Sequence, residues 1–493
     1  MTGVIKKLII PCVLSGILVL GGCAGAVQQT SPAEAAAQVQ TTLEQTSQTA
    51  QTDPETQSET TKTETNAAET TASTASAESE WFSNRDLAGT YDEAEAEKIT
   101  LTGESVTISE EGVYIIEGEI SDGQIIVEAD ETEKVQLVLN GVTISSSDSA
   151  AIYVKSADKV FITLADGSTN VLSTEGEYAA SEDNVDGVIF SKDDLTINGT
   201  GTLEVSTEYG HGIVGKDDLT ITGGSISIES SQSAISANDV LAITGADITV
   251  ISDMDAIHCE NEDLTLGNIY IESGTFDLNC AGDGVSATGE LTIMDGDFTV
   301  RTAGGGADAS MKGLKSDGDL IIYGGYFSLE TTEDSIHSDS CVTINGGVFE
   351  IYSEDDAVHA DGMLTINGGE FDIEAWEGLE ATYILINDGV INIYGKDDGI
   401  NAANKSSDYE VAVEINGGEL TIDMEAGDTD GIDSNGNIYI NGGTISVNGQ
   451  STIDYDGYAE YTGGTIIING QTVDSIPNQM MGGGFGGGPG GRR

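Results

Sequence analysis

The sequence repeats itself most plainly across residues 342–369, which read VTINGGVFEIYSEDDAVHADGMLTINGG. A short alternating strand, a glycine turn and a second strand are followed by an acidic segment, and then the first strand returns. The second turn glycine recurs as Gly325, Gly347 and Gly369, which lie 22 residues apart. A period this short suits a coil of short strands joined by tight turns, so the sequence predicts a β-solenoid.

The same pattern extends well beyond this stretch. Later turn glycines at positions 389, 418, 443 and 464 continue it, and insertions account for the longer intervals. Leucine-rich repeats share the period, but their Leu-x-x-Leu-x-Leu pattern is missing from this sequence. We therefore predict an all-β fold, a right-handed parallel β-helix (β-solenoid) with coils of about 22 residues, over residues 90–470.

The first 23 residues have the features of a bacterial lipoprotein signal peptide. Lys6 and Lys7 precede an apolar run at positions 8–20, which is too short to span a bilayer. The run ends in Leu-Gly-Gly-Cys, a string similar to a lipobox, so we expect Cys23 to be lipidated. A plain secretory signal that contains a cysteine is the alternative. The expected location is the extracellular face of the cell membrane, with the protein lipid-anchored at the bacterial cell surface.

Segments of biased composition flank the repeats. Residues 24–80 consist largely of Thr, Gln, Ser, Ala and Glu without periodic apolar spacing, which predicts a disordered tether. Residues 471–493 are rich in glycine and predict a flexible tail, to which the sequence assigns no role.

Charge and cysteine content exclude some function classes. The formal net charge is −68, from 85 acidic and 17 basic residues, so the surface repels nucleic acid and requires counter-cations. Outside the signal peptide the cysteines are Cys259, Cys280 and Cys341, an odd number without CxxC metal spacing. We expect buried free thiols there.

A second string recurs between the glycine turns, with an acidic, a tiny, an aliphatic and a polar residue in succession. It reads DAIH at 255–258, DGVS at 283–286, DSIH at 334–337, DAVH at 356–359, DGIN at 398–401 and DGID at 430–433. We expect the aliphatic residue in the core and its acidic and polar neighbours nearer the surface. The acidic column is predicted to comprise Asp186, Asp255, Asp283, Asp334, Asp356, Glu377, Asp398, Asp430 and Asp456.

Stacked strands bring the members of such a column about 4.8 Å apart, so the carboxylates repel one another unless they are protonated, solvated or share a cation. Calcium binds oxygen at about 2.3 to 2.6 Å, and two carboxylates from neighbouring coils can straddle one ion. We therefore predict calcium as the cofactor, held by Asp255, Asp283, Asp334, Asp356, Asp398 and Asp430. The alternative is that these are solvated carboxylates that keep the solenoid soluble.

Basic residues within the same string are candidate ligand-binding groups. His337 and His359 occupy its fourth position on adjacent coils, as hydrogen-bond donors to a sugar, as simply exposed residues, or as a pair that meets one transition-metal ion. Lys312 and Lys315 replace the usual acidic and polar residues on one coil. They can hold a substrate carboxylate, relieve the stacked carboxylates on either side, or, with Lys315 or Lys312 as base beside calcium, serve a lyase.

Phenylalanines recur two residues after a turn glycine, at Phe276, Phe298, Phe327, Phe349 and Phe371. A sugar-stacking strip and an internal ladder both fit this spacing. Because Leu and Ile occupy the same column on other coils, we predict an internal ladder.

The N-terminal repeats, GVYIIEGEI at 112–120, VQLVLNGV at 135–142 and AIYVK at 151–155, together with the GLK and DAVH coils, resemble a family of bacterial carbohydrate-binding β-helix proteins. That resemblance covers roughly residues 90–470 and implies a fold like that of pectate lyases, calcium sites on the solenoid surface, and binding of acidic plant cell-wall polysaccharide such as pectin or polygalacturonate.

Three functions follow from these observations. The first is a cell-surface binding module for polysaccharide, with the membrane contacted through the N-terminal lipid and no nucleic-acid partner. The second is a calcium-dependent polysaccharide lyase, and the third is a structural adhesin in which calcium stiffens the coils. The sequence leaves the oligomeric state, the sugar and the binding face open.

Overall fold

The computed structural model describes residues 81–263, 265–306, 310–427 and 429–478. In these ranges it consists of one short helix, α1 (Asn84–Ala88), and 43 β-strands joined in a single sheet. Apart from the last pair, the strands pair in parallel, which confirms the predicted parallel β-helix. Within the described residues no helix is long and apolar enough to cross a membrane. Cys23, the whole predicted tether and most of the tail lie outside the described residues.

Each coil contributes one strand to each of three faces, which we call the first, second and third face in chain order. The first face contains β7 (Lys159–Leu164), β10 (Leu195–Gly199), β13 (Leu219–Ile221), β16 (Val240–Ile243), β19 (Asn268–Ile271), β22 (Leu291–Ile293), β25 (Leu320–Ile322), β28 (Val342–Ile344), β35 (Ala412–Ile415), β38 (Asn437–Ile440) and β41 (Ala459–Tyr461).

The second face follows the glycine turn. It contains β8 (Thr169–Thr174), β11 (Thr202–Thr207), β14 (Ser225–Ser230), β17 (Ala246–Ser252), β20 (Gly274–Cys280), β23 (Asp297–Thr302), β26 (Tyr326–Thr331), β29 (Val348–Ser353), β31 (Glu370–Ala375), β33 (Val390–Gly395), β36 (Glu419–Met424), β39 (Thr444–Asn448) and β42 (Thr465–Ile468).

The third face carries the acidic strings. It contains β2 (Val106–Ile108), β4 (Ile125–Glu128), β6 (Ile152–Ser156), β9 (Gly187–Ser191), β12 (His211–Gly215), β15 (Ile235–Ala237), β18 (Ile257–Cys259), β21 (Val285–Ala287), β24 (Leu314–Ser316), β27 (Ile336–Ser338), β34 (Asp398–Ala402), β37 (Asp430–Ser434) and β40 (Ser451–Tyr455).

Longer strands turn corners between faces. β1 (Glu97–Thr102), β3 (Gly112–Ile120) and β5 (Lys134–Ser146) pair in order at the start of the solenoid, and β5 continues onto both the first and the second face. β30 (Asp356–Ile366) and β32 (Glu377–Ile386) each run from the third face onto the first. β43 (Gln471–Val473) pairs antiparallel with β42, so strand structure continues three residues past the predicted end of the repeats.

The core runs the length of the solenoid and is built from aligned aliphatic and aromatic residues. The five phenylalanines of the predicted ladder are at most 2% exposed, and their rings stack in parallel with centroids 4.4–4.9 Å apart. This confirms the internal ladder. Cys259 and Cys280 are buried free thiols as expected, whereas the free Cys341 is half-buried with its Sγ 3.3 Å from the Tyr409 hydroxyl.

The repeated Asn-Gly-Gly turn fixes the corner between the first and second faces. Side-chain amides of successive coils form a ladder, with Asn367 donating to Asn345 at 3.0 Å and Asn387 donating to Asn367 at 2.8 Å. Gly347 has φ +117°, and a Cβ there would meet the Phe349 ring at 3.0 Å and the Gly325 carbonyl at 3.2 Å. The turn therefore needs glycine both for its backbone conformation and for the close approach of neighbouring coils.

Residues 81–90, which we call the strap, cross the outside of the first face. Ser83 caps α1, and the buried Asp86 receives a hydrogen bond from Thr196 at 2.6 Å and pairs with Lys159 at 3.0 Å. Trp81 stacks on Tyr270 with ring centroids 4.8 Å apart. The strap thus contacts coils that are separated by many residues in sequence.

Candidate functional site

Two rows of polar side chains run along the third face, at the first and fourth positions of the repeated string. We call the first the acid row; in spatial order it contains Asp255, Asp283, Lys312, Asp334, Asp356, Glu377, Asp398, Asp430 and Ser451. The polar row contains His258, Ser286, Lys315, His337, His359, Glu380, Asn401, Asp433 and Asp454.

The register corrects both ends of the predicted acidic column. Gly187, not Asp186, lies opposite His211, and Ser451, not Asp456, lies opposite Asp430. Both predicted residues stand next to a turn, where loops of different length shift the sequence pattern relative to the coil.

The acid row is more buried than the sequence led us to expect. Asp283, Asp334 and Asp356 are only 2%, 5% and 6% exposed. The first two of these carboxylates each accept a main-chain N–H from the next coil: for Asp283 the donor is Lys312 at 2.7 Å, and for Asp334 it is Asp356 at 3.3 Å. One oxygen of each such carboxylate therefore holds neighbouring coils together, which a pattern of residue types does not reveal.

Histidines and carboxylates form a cluster at the middle of the two rows. His337 lies between Asp334 at 2.7 Å and Asp339 at 2.8 Å, and its ring stacks on that of His359 with centroids 4.8 Å apart. The Nδ1 atom of His359 is 2.8 Å from Asp356 and 2.9 Å from Glu380. The structure thus brings four predicted site residues together: Asp334, His337, Asp356 and His359.

The charges of this cluster balance one another. Burial and the charges of Asp334 and Glu380 raise the pKa of Asp356 to about 8. Burial alone would lower the pKa of His359, but its bonds to Asp356 and Glu380 raise that pKa to about 10. Burial opposes ionisation of Glu380, yet His359 and Lys405 together lower its pKa to about 2. Near neutral pH the cluster therefore contains an imidazolium shared by buried carboxyl groups.

Lys312 and Lys315 are both engaged with carboxylates. Lys312 Nζ lies 2.8 Å from Glu333 and 3.9 Å from Asp334, while Lys315 Nζ lies 4.0 Å from Asp283. Burial alone would lower the pKa of Lys312, but Glu333 and Asp334 raise it. A lyase base needs the opposite shift, so the contacts of Lys312 favour the interpretation that it relieves the stacked carboxylates.

A second group of side chains offers oxygen atoms only, and we call Glu377, Asp398, Asn401, Asp430 and Asp433 the oxygen cluster. Asn401, 9% exposed, donates from Nδ2 to Glu377 at 2.9 Å and to Glu380 at 3.3 Å. Its Oδ1 atom is buried and accepts no hydrogen bond from the part of the chain that the structure describes. The amide therefore directs an unused acceptor oxygen away from Glu377 and Glu380.

Two carboxylates of the oxygen cluster, Asp398 and Asp433, are half-buried beside other negative charges. Burial and the negative charge of Glu377 raise the pKa of Asp398 to about 8, and burial with Asp430 raises that of Asp433 to about 6. Within the described residues, no basic side chain forms an ion pair with Asp398 or Asp433. These two carboxylates and the buried amide oxygen of Asn401 have the chemistry of a hard-cation site.

The six predicted calcium ligands thus do not form one uniform series. Asp255 lies 2.8 Å from His258, and Asp283 lies beside Lys315, so basic groups already stand next to both carboxylates. Asp334 and Asp356 belong to the histidine cluster, although together with Asp355 they also place three carboxylate oxygens within 4.8 Å of one another. Asp398 and Asp430 belong to the oxygen cluster.

Sequence reasoning missed a set of exposed aromatic side chains, Tyr352, Trp376 and Tyr394, which we call the aromatic ledge. They are 41%, 48% and 42% exposed and lie on neighbouring coils at the end of the second-face strands. The two tyrosines line a shallow groove of about 420 Å³. The sequence did contain a signal for them, an aromatic residue at the third outward position of two strands. This signal was missed beside the more regular series of aligned phenylalanines.

Comparisons with known proteins add a family relationship. Residues 102–357 and 353–476 match the profile of a family described as carbohydrate-binding domain-containing proteins. A carbohydrate-binding domain-containing protein of Acetivibrio thermocellus is 42% identical over 136 residues, which are 27% of this chain and 47% of that protein. The match therefore spans about half the length of that relative.

A solved structure is also similar to part of the chain. It is described as a polysaccharide lyase-like protein from C. thermocellum, as a gadolinium derivative, and is 32% identical with a TM-score of 0.41. The similarity covers 46% of this chain and 96% of that one.

Proposed function

This chain belongs to the family of carbohydrate-binding domain-containing proteins, and from that premise we propose that it is a cell-surface lipoprotein that binds acidic polysaccharide through calcium. The family match, which extends over more than half of the sequence, is the observation that carries polysaccharide binding. In this proposal Cys23 carries the lipid, and residues 24–80 hold the solenoid away from the membrane.

Calcium is the part of the proposal that the third face supports. The oxygen cluster supplies carboxylates of Asp398, Asp430 and Asp433 and the unused Oδ1 of Asn401, and oxygen ligands of this kind suit calcium rather than a transition metal. These residues would hold a calcium ion, which would neutralise the charge of Asp398 and Asp433. The ion would also supply positive charge for the carboxylates of a uronate polymer.

A protein with net charge −68 repels a polyanion, so the proposal requires the cation for binding and not merely for stability. Titration of the purified full-length protein with polygalacturonate, with calcium or with a chelator, tests this directly. We expect binding only when calcium is present and no ultraviolet absorbance from unsaturated uronate. Equal binding with the chelator would contradict the calcium bridge. A rise in absorbance would show that the protein is a lyase and not only a binding protein.

A further inference from the structure

The two tyrosines of the aromatic ledge lie on the second face, whereas the oxygen cluster lies on the third face. Trp376 lies at the corner between these faces, directly before Glu377. Tyr352 and Tyr394 both occupy the third outward position of their strands, with Glu374 in register between them. The two rings are therefore separated by two strand spacings, or about 9.6 Å along the solenoid axis. Their separation is set by the sheet and not by a flexible loop, so the two rings form a preorganised pair.

The ring of Tyr352 is held in place by a basic neighbour. Lys396 Nζ lies 4.8 Å from the centre of this ring and 3.2 Å from Glu374, so one lysine joins the tyrosine to the carboxylate in register with it. Trp376 is also held in place, by a hydrogen bond that its indole N–H donates to Asp397 at 3.2 Å. These contacts reduce the conformational freedom that a ligand would otherwise have to restrict.

The groove floor is polar. Its lining includes the outward side chains of Glu350, Asp372 and Glu374 beside the two tyrosines. Carboxylates accept hydrogen bonds from sugar hydroxyls, and aromatic rings pack against the apolar faces of sugar rings. The two rings are about one disaccharide repeat apart, and hydrogen-bond acceptors lie between them. This arrangement suits an extended β-linked glycan, because alternate sugars of such a chain present the same face.

The charges of this groove select against an acidic polymer. Lys396 is already paired with Glu374, whereas the neighbouring carboxylates of Glu350 and Asp372 are exposed. A uronate chain at this position meets like charges, while an uncharged glycan does not. We propose that the aromatic ledge is a second glycan-binding surface, which binds an uncharged β-linked polysaccharide along the solenoid axis without calcium.

This inference rests on the proposed carbohydrate-binding function and adds the ligand class, the residues and independence from calcium. The test is calorimetric titration of the full-length protein with β-1,4-linked gluco-, xylo- and manno-oligosaccharides in a chelator. We expect at least one series to bind, with Tyr352→Ala and Tyr394→Ala each weakening that affinity about tenfold. Tyr352→Phe should retain most of it, because the ring is kept.

Tyr458→Ala is the matched control, since Tyr458 is 60% exposed near the C-terminal end of the solenoid and lies outside the ledge. It should leave the affinity unchanged. Unaltered binding in the Tyr352→Ala/Tyr394→Ala double variant, with its thermal midpoint preserved, would overturn the ledge. Failure of all neutral oligosaccharides to bind, while polygalacturonate still binds with calcium, would overturn the ledge and leave the proposed function intact. Failure of every glycan under every condition would overturn both.

Discussion

At the level of single residues, an aspartate on the third face has two separable tasks. Asp398 accepts the N–H of Asp430 through Oδ1 at 3.2 Å, so it helps to join two coils. Its carboxylate forms no ion pair with a basic side chain among the described residues, and burial opposes its ionisation. A substitution that keeps an acceptor oxygen but removes the charge can therefore separate the structural task from cation binding.

Asp398→Asn is such a change. We expect it to weaken calcium binding about tenfold, because the ion loses a negatively charged ligand, while the coil contact is retained. Calorimetric titration of the protein with calcium measures the effect. Asp247→Asn, which removes the same charge from an exposed position on the second face, is the control. Equal affinities in the two variants would contradict a site at the oxygen cluster.

His359 gives a prediction about pH. Its folded pKa of about 10 lies above the ordinary value of 6.5, so its protonation stabilises the fold fully below pH 6.5. That contribution is lost as the pH rises through 10. Asp356, with a pKa of about 8, acts in the same direction, because its neutral form is also favoured by folding.

We therefore expect the thermal midpoint in calcium-free buffer to fall between pH 6.5 and pH 10, and His359→Gln to make that fall shallower. Midpoints measured at a series of pH values would show this. His211→Gln is the control, since burial lowers the pKa of His211 and it contributes nothing to a decline above pH 6.5. An unchanged slope in His359→Gln would contradict the shared imidazolium.

The repeat period predicted that polar residues align from coil to coil but not how each residue is used. The position of His337 beside His359 on adjacent coils followed from the period. The sequence did not predict the unused oxygen of Asn401 or the pairing of Lys312 with Glu333, because both depend on side-chain rotamers. A spacing pattern contains no such information.

At the level of strands, alternation fixes which side chains face inward and which face outward. β29 (Val348–Ser353) places Phe349 and Ile351 in the core and exposes Val348, Glu350 and Tyr352. The phenylalanine ladder was predictable because Leu and Ile replace Phe on other coils, which marks an apolar position. The outward tyrosines had no such repetition and were therefore missed.

The stacked phenylalanines should be sensitive to truncation. Phe327→Ala removes a ring that packs against Phe298 and Phe349 at 4.9 and 4.8 Å, and we expect it to lower the free energy of unfolding by about 3–5 kcal/mol. Phe327→Leu should cost far less, because Leu and Ile already occupy the column on other coils. Urea denaturation of the two variants measures both values. Similar losses in both would contradict a ladder stabilised by ring volume.

At the level of the whole molecule, contacts in a solenoid connect mainly neighbouring coils, so its stability is distributed along the axis. Residues 81–90 depart from this rule. The strap joins the coil of Lys159 to those of Thr196 and Thr222, since Asp86 contacts all three through its carboxylate or its carbonyl oxygen. It should therefore make the N-terminal coils unfold together.

Asp86→Ala tests this coupling. The change removes a carboxylate that is 3% exposed, leaves Lys159 without its partner, and removes the acceptor for Thr196, so breaking this buried pair should cost about 3–5 kcal/mol. Because the solenoid transmits stability through neighbours, the effect should be local. Hydrogen exchange should accelerate at the strands around residues 159–222 and remain unchanged around residues 380–460.

Asp158→Ala is the matched control, since its ion pair with Lys134 is about half exposed on both sides and such pairs contribute little. It should leave exchange almost unchanged everywhere. If Asp86→Ala accelerated exchange equally along the whole solenoid, the protein would unfold as one cooperative unit and the strap would have no separate role. If exchange changed nowhere, the buried contacts of Asp86 would not stabilise the N-terminal coils. A local increase would show that one segment, in addition to nearest-neighbour packing, sets the stability of the coils that it crosses.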